Sequence, residues 1–186
     1  MHGARPLARF RTDADPAHGS YPLPADGLCL STFLLVRPPG RPREVLCGRV
    51  DPAGPWGAAA ALDPERLRSL GERWVLPASQ LLFFEGPQEG ARRVAREQLG
   101  RDDLPLEPPQ VYSEAYRRNA DARDPHWDLH FVVAATWPGG SLEASRGRLW
   151  RELRFVEVGA TPPAAFGRGH ADVLALAGLA PGGRVP

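Results

Sequence analysis

The sequence predicts a mixed α/β (α+β) domain, and three observations carry the prediction. Apolar runs of strand length at 28–36, 44–50 and 126–137 are bounded by turn formers. Amphipathic helix patterns cover 87–99 and 169–179. Strand and helix patterns alternate irregularly along the chain, as in α/β or α+β architectures.

Residues 1–26 carry Pro6, Pro16, Gly19, Pro22 and Pro24 with little periodicity, so they read as an N-terminal extension. The domain proper is expected over 27–180, with 181–186 as a C-terminal tail. Runs 28–36 and 44–50 flank Arg37-Pro38-Pro39-Gly40-Arg41-Pro42 and read as a β-hairpin with a longer loop. Residues 51–62 form a Gly/Pro/Ala loop. Asp63-Pro64-Glu65 then supplies an N-cap, a Pro at the first helical position and an early acid, starting a short helix that stops at Gly71. Residues 81–84 read as a strand.

The clearest helix spans 87–99. Ala91, Val94, Ala95, Gln98 and Leu99 fall on one stripe, and Gly100 supplies the left-handed terminator. A Pro-rich loop follows over 101–110. The run 126–137 starts with strict alternation and ends as a buried strand; 149–158 is a further strand and 169–179 a terminal helix.

The 186 residues include 23 basic and 22 acidic side chains, for a net charge of +1. Apolar residues at 42% and charged residues at 24% exclude wholesale disorder. The balanced charge gives no nucleic-acid or membrane-surface signal. There is no Lys and no Ile, every basic residue is Arg, and Asn119 is the only Asn. GC-rich codons, as in a high-GC bacterium, explain this bias, so arginine richness says little about phosphate binding. Cys29 and Cys47 lie in apolar runs and give neither a disulfide framework nor zinc spacing. The run 28–36 is too short to span a bilayer, and the N-terminus lacks a secretory h-region; a cytoplasmic location is expected.

The segment 74–100 reads WVLPASQLLFFEGPQEGARRVAREQLG. It resembles the Nudix box, G-x5-E-x7-R-E-U-x-E-E-x-G-U with U a bulky aliphatic, often preceded by W-x-L-P-G. Glu85 takes the first Glu, Arg93 the Arg, Glu97 one of the paired Glu residues and Gly100 the Gly; Trp74, Leu76 and Pro77 match the lead-in. The departures are Ser79 for Gly, Val94 for the Glu after Arg, Ala95 and Arg101 at the aliphatic places, and Gln98 for the second paired Glu. The resemblance implies a Nudix-like α/β/α sandwich with a mixed sheet, and kinship with pyrophosphohydrolases of nucleoside diphosphates linked to another moiety.

In that family, Glu residues at i, i+3 and i+4 of the box helix hold Mg²⁺ or Mn²⁺ against a diphosphate, and the metal helps activate the attacking water. Here those places are Val94, Glu97 and Gln98, one negative charge where three are expected. Gln98 offers only a neutral carbonyl. The implied protein has weak or absent catalysis and a ligand-binding or interaction role, with Glu85 and Arg93 holding loop and helix together. A second reading is an active Mg²⁺- or Mn²⁺-dependent hydrolase using Glu97 and Glu85 with help from Glu114, Asp128 or His130. A third needs no family: an unrelated α/β binding module, in which Val94 widens the apolar stripe, Glu89 pairs with Arg93 at i,i+4, and Glu97 is solvated.

Asp124, His126, Asp128 and His130 alternate with apolar residues, so on a strand they share one face. They read either as auxiliary metal ligands or as the solvated polar side of a strand. Arg117, Arg118 and Arg123, near Tyr112 and Tyr116, read either as a phosphate clamp with a stacking ring or as solvated loop charges. His170 reads as structural. No nucleophile elbow, P-loop, dinucleotide fingerprint or H-E-x-x-H motif occurs. The implied partner is a nucleotide-like or other diphosphate small molecule.

Overall fold

The computed structural model describes residues 7–10, 19–22, 28–60, 62, 64–116, 126–167 and 169–180. The chain divides into two units, Met1–Cys29 with Ser113–Leu129, and Leu30–Tyr112 with His130–Pro186. In the first unit, β1 (Leu7–Phe10) pairs antiparallel with β2 (Gly19–Pro22), a short hairpin inside the stretch expected to lack periodic structure.

The remaining elements are β3 (Leu28–Arg37), β4 (Glu44–Val50), α1 (Trp56–Ala60), α2 (Pro64–Leu70), β5 (Ala78–Gln80), α3 (Pro87–Leu99), β6 (Gln110–Tyr116), β7 (His126–Thr136), α4 (Leu142–Arg146), β8 (Trp150–Glu157) and α5 (His170–Leu176). A four-stranded sheet has the order β5-β3-β7-β6, and β4 pairs with β8. β5 runs antiparallel to β3. Trp137 N–H donates to the Arg37 carbonyl at 2.7 Å, so β7 ends beside the end of β3 and runs the same way; the sheet is mixed.

Several sequence expectations change. The 28–36 and 44–50 runs are strands but not a hairpin: β3 and β4 lie in different sheets, because each finds its partner far along the chain. Residues 81–84 are not a strand. β5 ends at Gln80, and the apolar residues after it form an exposed turn. The 51–62 loop contains α1, whose Trp56 is buried edge-on against Trp150 at 4.7 Å. β6 and α4 carry no clear periodic signal.

β3 separates two apolar cores. Leu34 and Val36 face a cluster with Trp56, Leu67, Leu70, Ala91, Val94, Ala95 and Leu99, which packs α1, α2 and α3 on one side. Phe33 and Leu35 face Val132, Trp74, Leu76, Phe166, Val173 and Leu174, which packs α5 on the other. Strand alternation puts successive side chains on opposite faces, so this is the helix–sheet–helix layering the sequence implied.

α3 begins with Pro87 at its first position, and Gly86 N–H donates to Glu89 Oε2 at 2.8 Å. Glu89 thus serves the helix N-terminus, where a carboxylate also meets the positive end of the helix dipole. The helix ends at Gly100, whose φ of 63° favours glycine. Gly90 lets α3 approach closely, since a Cβ there would lie 2.5 Å from Leu81 Cδ2 and 3.1 Å from Thr32 Oγ1.

Candidate functional site

The box residues meet where the first turns of α3 cross the outer edge of β5. Arg93 is buried at the centre. Its Nε donates to Glu85 Oε1 at 2.7 Å and its Nη2 to Glu85 Oε2 at 2.8 Å, a two-pronged pair. Nη2 also reaches the Gln80 carbonyl at 2.8 Å, while Nη1 donates to Ser79 Oγ and Glu97 Oε2, both at 3.4 Å. The planar guanidinium thereby binds the turn, the strand and the next helical turn at once.

Glu85 Oε2 also accepts the Leu82 N–H at 2.9 Å. The hydrogen bond from Arg93 holds the Glu85 carboxyl below the usual carboxylate range, against an opposing push from its partial burial. The same bond raises the Arg93 guanidinium still further above neutrality. Glu97 is the more open carboxylate, its side chain 38% exposed.

Gln98 is buried, and both ends of its amide are engaged by one residue. Its Oε1 accepts the Ala78 N–H at 3.1 Å, and its Nε2 donates to the Ala78 carbonyl at 2.8 Å. Ala78 is a residue of the edge strand β5, so Gln98 pairs with it as a neighbouring strand would. Arg93 does the same for the Gln80 carbonyl. Val94 is fully buried in the core beneath α3.

Two of the other sequence candidates are described on β7. His130 is buried, with its ring edge-on to Phe33 at 5.3 Å. Asp128 is also buried, so this polar face of β7 points inward and Trp127, Leu129 and Phe131 are the half-buried ones. The side chains of His126 and Tyr116, and residues Arg117, Arg118, Arg123 and Asp124, lie outside the described residues. Among the described residues no three His, Cys, Asp or Glu side chains come together in a group able to hold a metal ion. A cavity of about 60 Å³ beside the C-terminal half of α3 is lined by Arg92, Arg96, Arg101, Asp102, Leu104 and Leu106. It is far smaller than the several hundred Å³ a nucleotide needs, and none of the box carboxylates lines it.

Sequence reasoning places Ser79 only as a departure at the box glycine and does not foresee its hydroxyl, or the Ala78 and Gln80 backbone groups, as partners of α3, because their part depends on α3 crossing the strand edge. It also missed the exposure of Phe83 and Phe84.

No protein-family model matches the sequence, and no curated protein does either. Solved structures do. A MutT Nudix hydrolase from Burkholderia pseudomallei superposes with a TM-score of 0.52 at 14% identity, over 80% of this chain and 96% of that one. The Nudix domain of Shewanella oneidensis NrtR, crystallised with ADP ribose, superposes with a TM-score of 0.50 at 14% identity, over 81% and 86%. The chain has the Nudix fold. The reading as an unrelated α/β module is therefore set aside. In Nudix terms the box is a turn carrying Glu85 followed by the helix α3, the arrangement the sequence pattern implied. Among the described residues, no helix is long and apolar enough to cross a membrane.

Proposed function

We propose that this Nudix-fold protein has turned its box into a structural clamp, with metal-dependent hydrolysis weak or absent, and that it acts by binding a ligand or a partner. The carrying observation is the Arg93–Gln98 pair of contacts. Arg93 holds Glu85 through both carboxylate oxygens and approaches Glu97, while both ends of the Gln98 amide serve Ala78.

This donor set does not fit Mg²⁺ or Mn²⁺. Such an ion takes about six oxygen ligands in near-octahedral geometry, with at least one or two protein carboxylates. Glu85 is committed to a guanidinium, Val94 has no donor, the Gln98 carbonyl faces an N–H, and Glu97 is left with an arginine nitrogen beside it. A cation entering here would meet fixed positive charge in a partly buried place, where repulsion is screened least.

The ADP ribose bound to the NrtR domain supports a nucleoside diphosphate as the ligand class to test first. Arg117 and Arg118, with Tyr116 stacking, are the proposed contacts. The experiment is a hydrolysis panel of nucleoside diphosphates linked to a second moiety, ADP ribose included, with Mg²⁺ or Mn²⁺ at high protein concentration. The expected result is no turnover above that of Glu97→Gln, with any ADP-ribose binding unchanged by EDTA and weakened by Arg117→Ala or Arg118→Ala. Turnover abolished by Glu97→Gln supports the rival reading, an active hydrolase in which Glu97 and Glu85 are catalytic.

A further inference from the structure

The turn between β5 and α3 leaves bulky apolar side chains in water. Phe83 is 89% exposed, Phe84 93%, Leu82 58%, and Leu30, whose carbonyl accepts the Leu81 N–H at 2.9 Å, is 38% exposed. The two rings touch, with centroids 4.2 Å apart. Scattered exposed apolar residues need no explanation, but a contiguous patch marks an interaction surface.

This turn is fixed. Glu85 N–H donates to the Leu82 carbonyl at 3.0 Å, Leu82 N–H returns to the Glu85 carboxylate, and Arg93 grips that carboxylate. Phe84 is the one non-glycine residue with positive φ, 67°, among the described residues. L-residues other than glycine seldom adopt that conformation, because Cβ crowds the following carbonyl oxygen, and the clamp sustains it. The rings are thus presented outward on a rigid mount.

The partner meets side chains, because the outward groups of Ala78 and the Gln80 carbonyl are already taken by Gln98 and Arg93. Charge narrows the choice. The tip itself, residues 81–84, carries no charge, and the charges next along the chain are balanced, Glu85 and Glu89 against Arg92 and Arg93, which leaves no basic patch for an anionic bilayer or a nucleic acid. The net charge of +1 leaves little repulsion between copies.

We propose that this aromatic tip is the centre of a two-fold interface with a second copy of the chain. A two-fold contact requires only that a patch complement itself, and tilted aromatic pairs do so by offset or edge-to-face packing. Leu30, Leu82, Phe83 and Phe84 together expose roughly 500 Å² of apolar surface, against the about 800 Å² per partner of a stable interface. The tip supplies the apolar core, and polar neighbours such as Gln80 and Gln88 supply the rim. The inference does not depend on whether the box hydrolyses anything.

Sedimentation of the full chain over a concentration series tests it, with Phe83→Ser and Phe84→Asn as variants. Asn is tolerated in the left-handed region, so the turn persists, and thermal unfolding of each variant confirms folding. The expected result is a species of twice the chain mass whose dissociation constant rises at least about 30-fold in either folded variant, the effect of losing one interfacial hot spot. A wild-type chain that stays monomeric at every concentration overturns the proposal. So does a dimer that neither substitution weakens, or a monomer that co-sediments with phosphatidylcholine vesicles through the same two residues.

Discussion

Arg93 determines the character of the box. A two-pronged ion pair between a buried guanidinium and a part-buried carboxylate is costly to break, because removing one partner leaves the other's charge unsatisfied. Arg93→Ala is therefore expected to destabilise the fold by about 3–5 kcal/mol in urea unfolding. Glu97→Gln, which alters a long contact of an open side chain, is expected to cost less than about 1 kcal/mol. A reversed order contradicts the clamp. Gln98 makes a sharper case. Gln98→Glu restores the family residue, yet it removes the N–H donated to the Ala78 carbonyl and sets a carboxylate against that oxygen in a buried place. A loss of about 2–4 kcal/mol is expected by the same unfolding measurement, with no gain in hydrolysis. A stable Gln98→Glu variant that gains Mg²⁺-dependent turnover contradicts the structural role.

At the scale of elements, α3 ties the site together and was the most legible part of the sequence. Its stripe from Ala91 to Leu99, Pro87 at the start and Gly100 at the end are all local signals, and the helix runs Pro87–Leu99. Residues 81–84 read as a strand because a short apolar run does, whereas the turn here exposes what hydrophobicity says to bury. β3 and β4 were found as strands, but their partners β7, β5 and β8 are set by distant contacts that no local pattern announces. In β7 the alternation was legible and its sense was not: the Asp128 and His130 side turned out buried. Gly90 gives this scale its prediction. Gly90→Ala places a methyl 2.5 Å from Leu81 Cδ2, the end of a side chain that can turn aside, and 3.1 Å from Thr32 Oγ1, so the gain in helix propensity is offset and stability is expected to stay within about 1 kcal/mol of the wild type. Arg92→Ala, on the exposed side of the same helix, is expected to stay within about 0.5 kcal/mol; thermal unfolding of the two variants side by side is the check.

At the scale of the whole molecule, stability and pH are linked through the core behind β3. His170 Nδ1 accepts the Leu76 N–H at 3.0 Å, and its ring packs edge-on to Phe33 at 5.5 Å. Burial, with help from the charge of Arg66 and from His130, pushes its pKa from the ordinary 6.5 down to about 3. The unfolded chain therefore binds this proton first. The contribution is complete above pH 6.5 and is lost as pH falls toward 3, by up to about 1.4 kcal/mol per unit. Glu85, whose carboxyl is also held low, adds to the loss below the usual carboxylate range. Urea midpoints between pH 7.5 and 5 are expected to fall for the wild type and flatten in His170→Gln; parallel slopes contradict the assignment.

In the proposed reading, Arg93 and the Ala78 backbone occupy the box groups that would otherwise meet a metal ion. A Mn²⁺ titration of the intact chain, read by the electron paramagnetic resonance of the free ion, is the sharpest check. The expected result is no saturable site on the wild type and an identical trace for Glu97→Gln. One Mn²⁺ bound per chain, lost in Glu97→Gln, contradicts it.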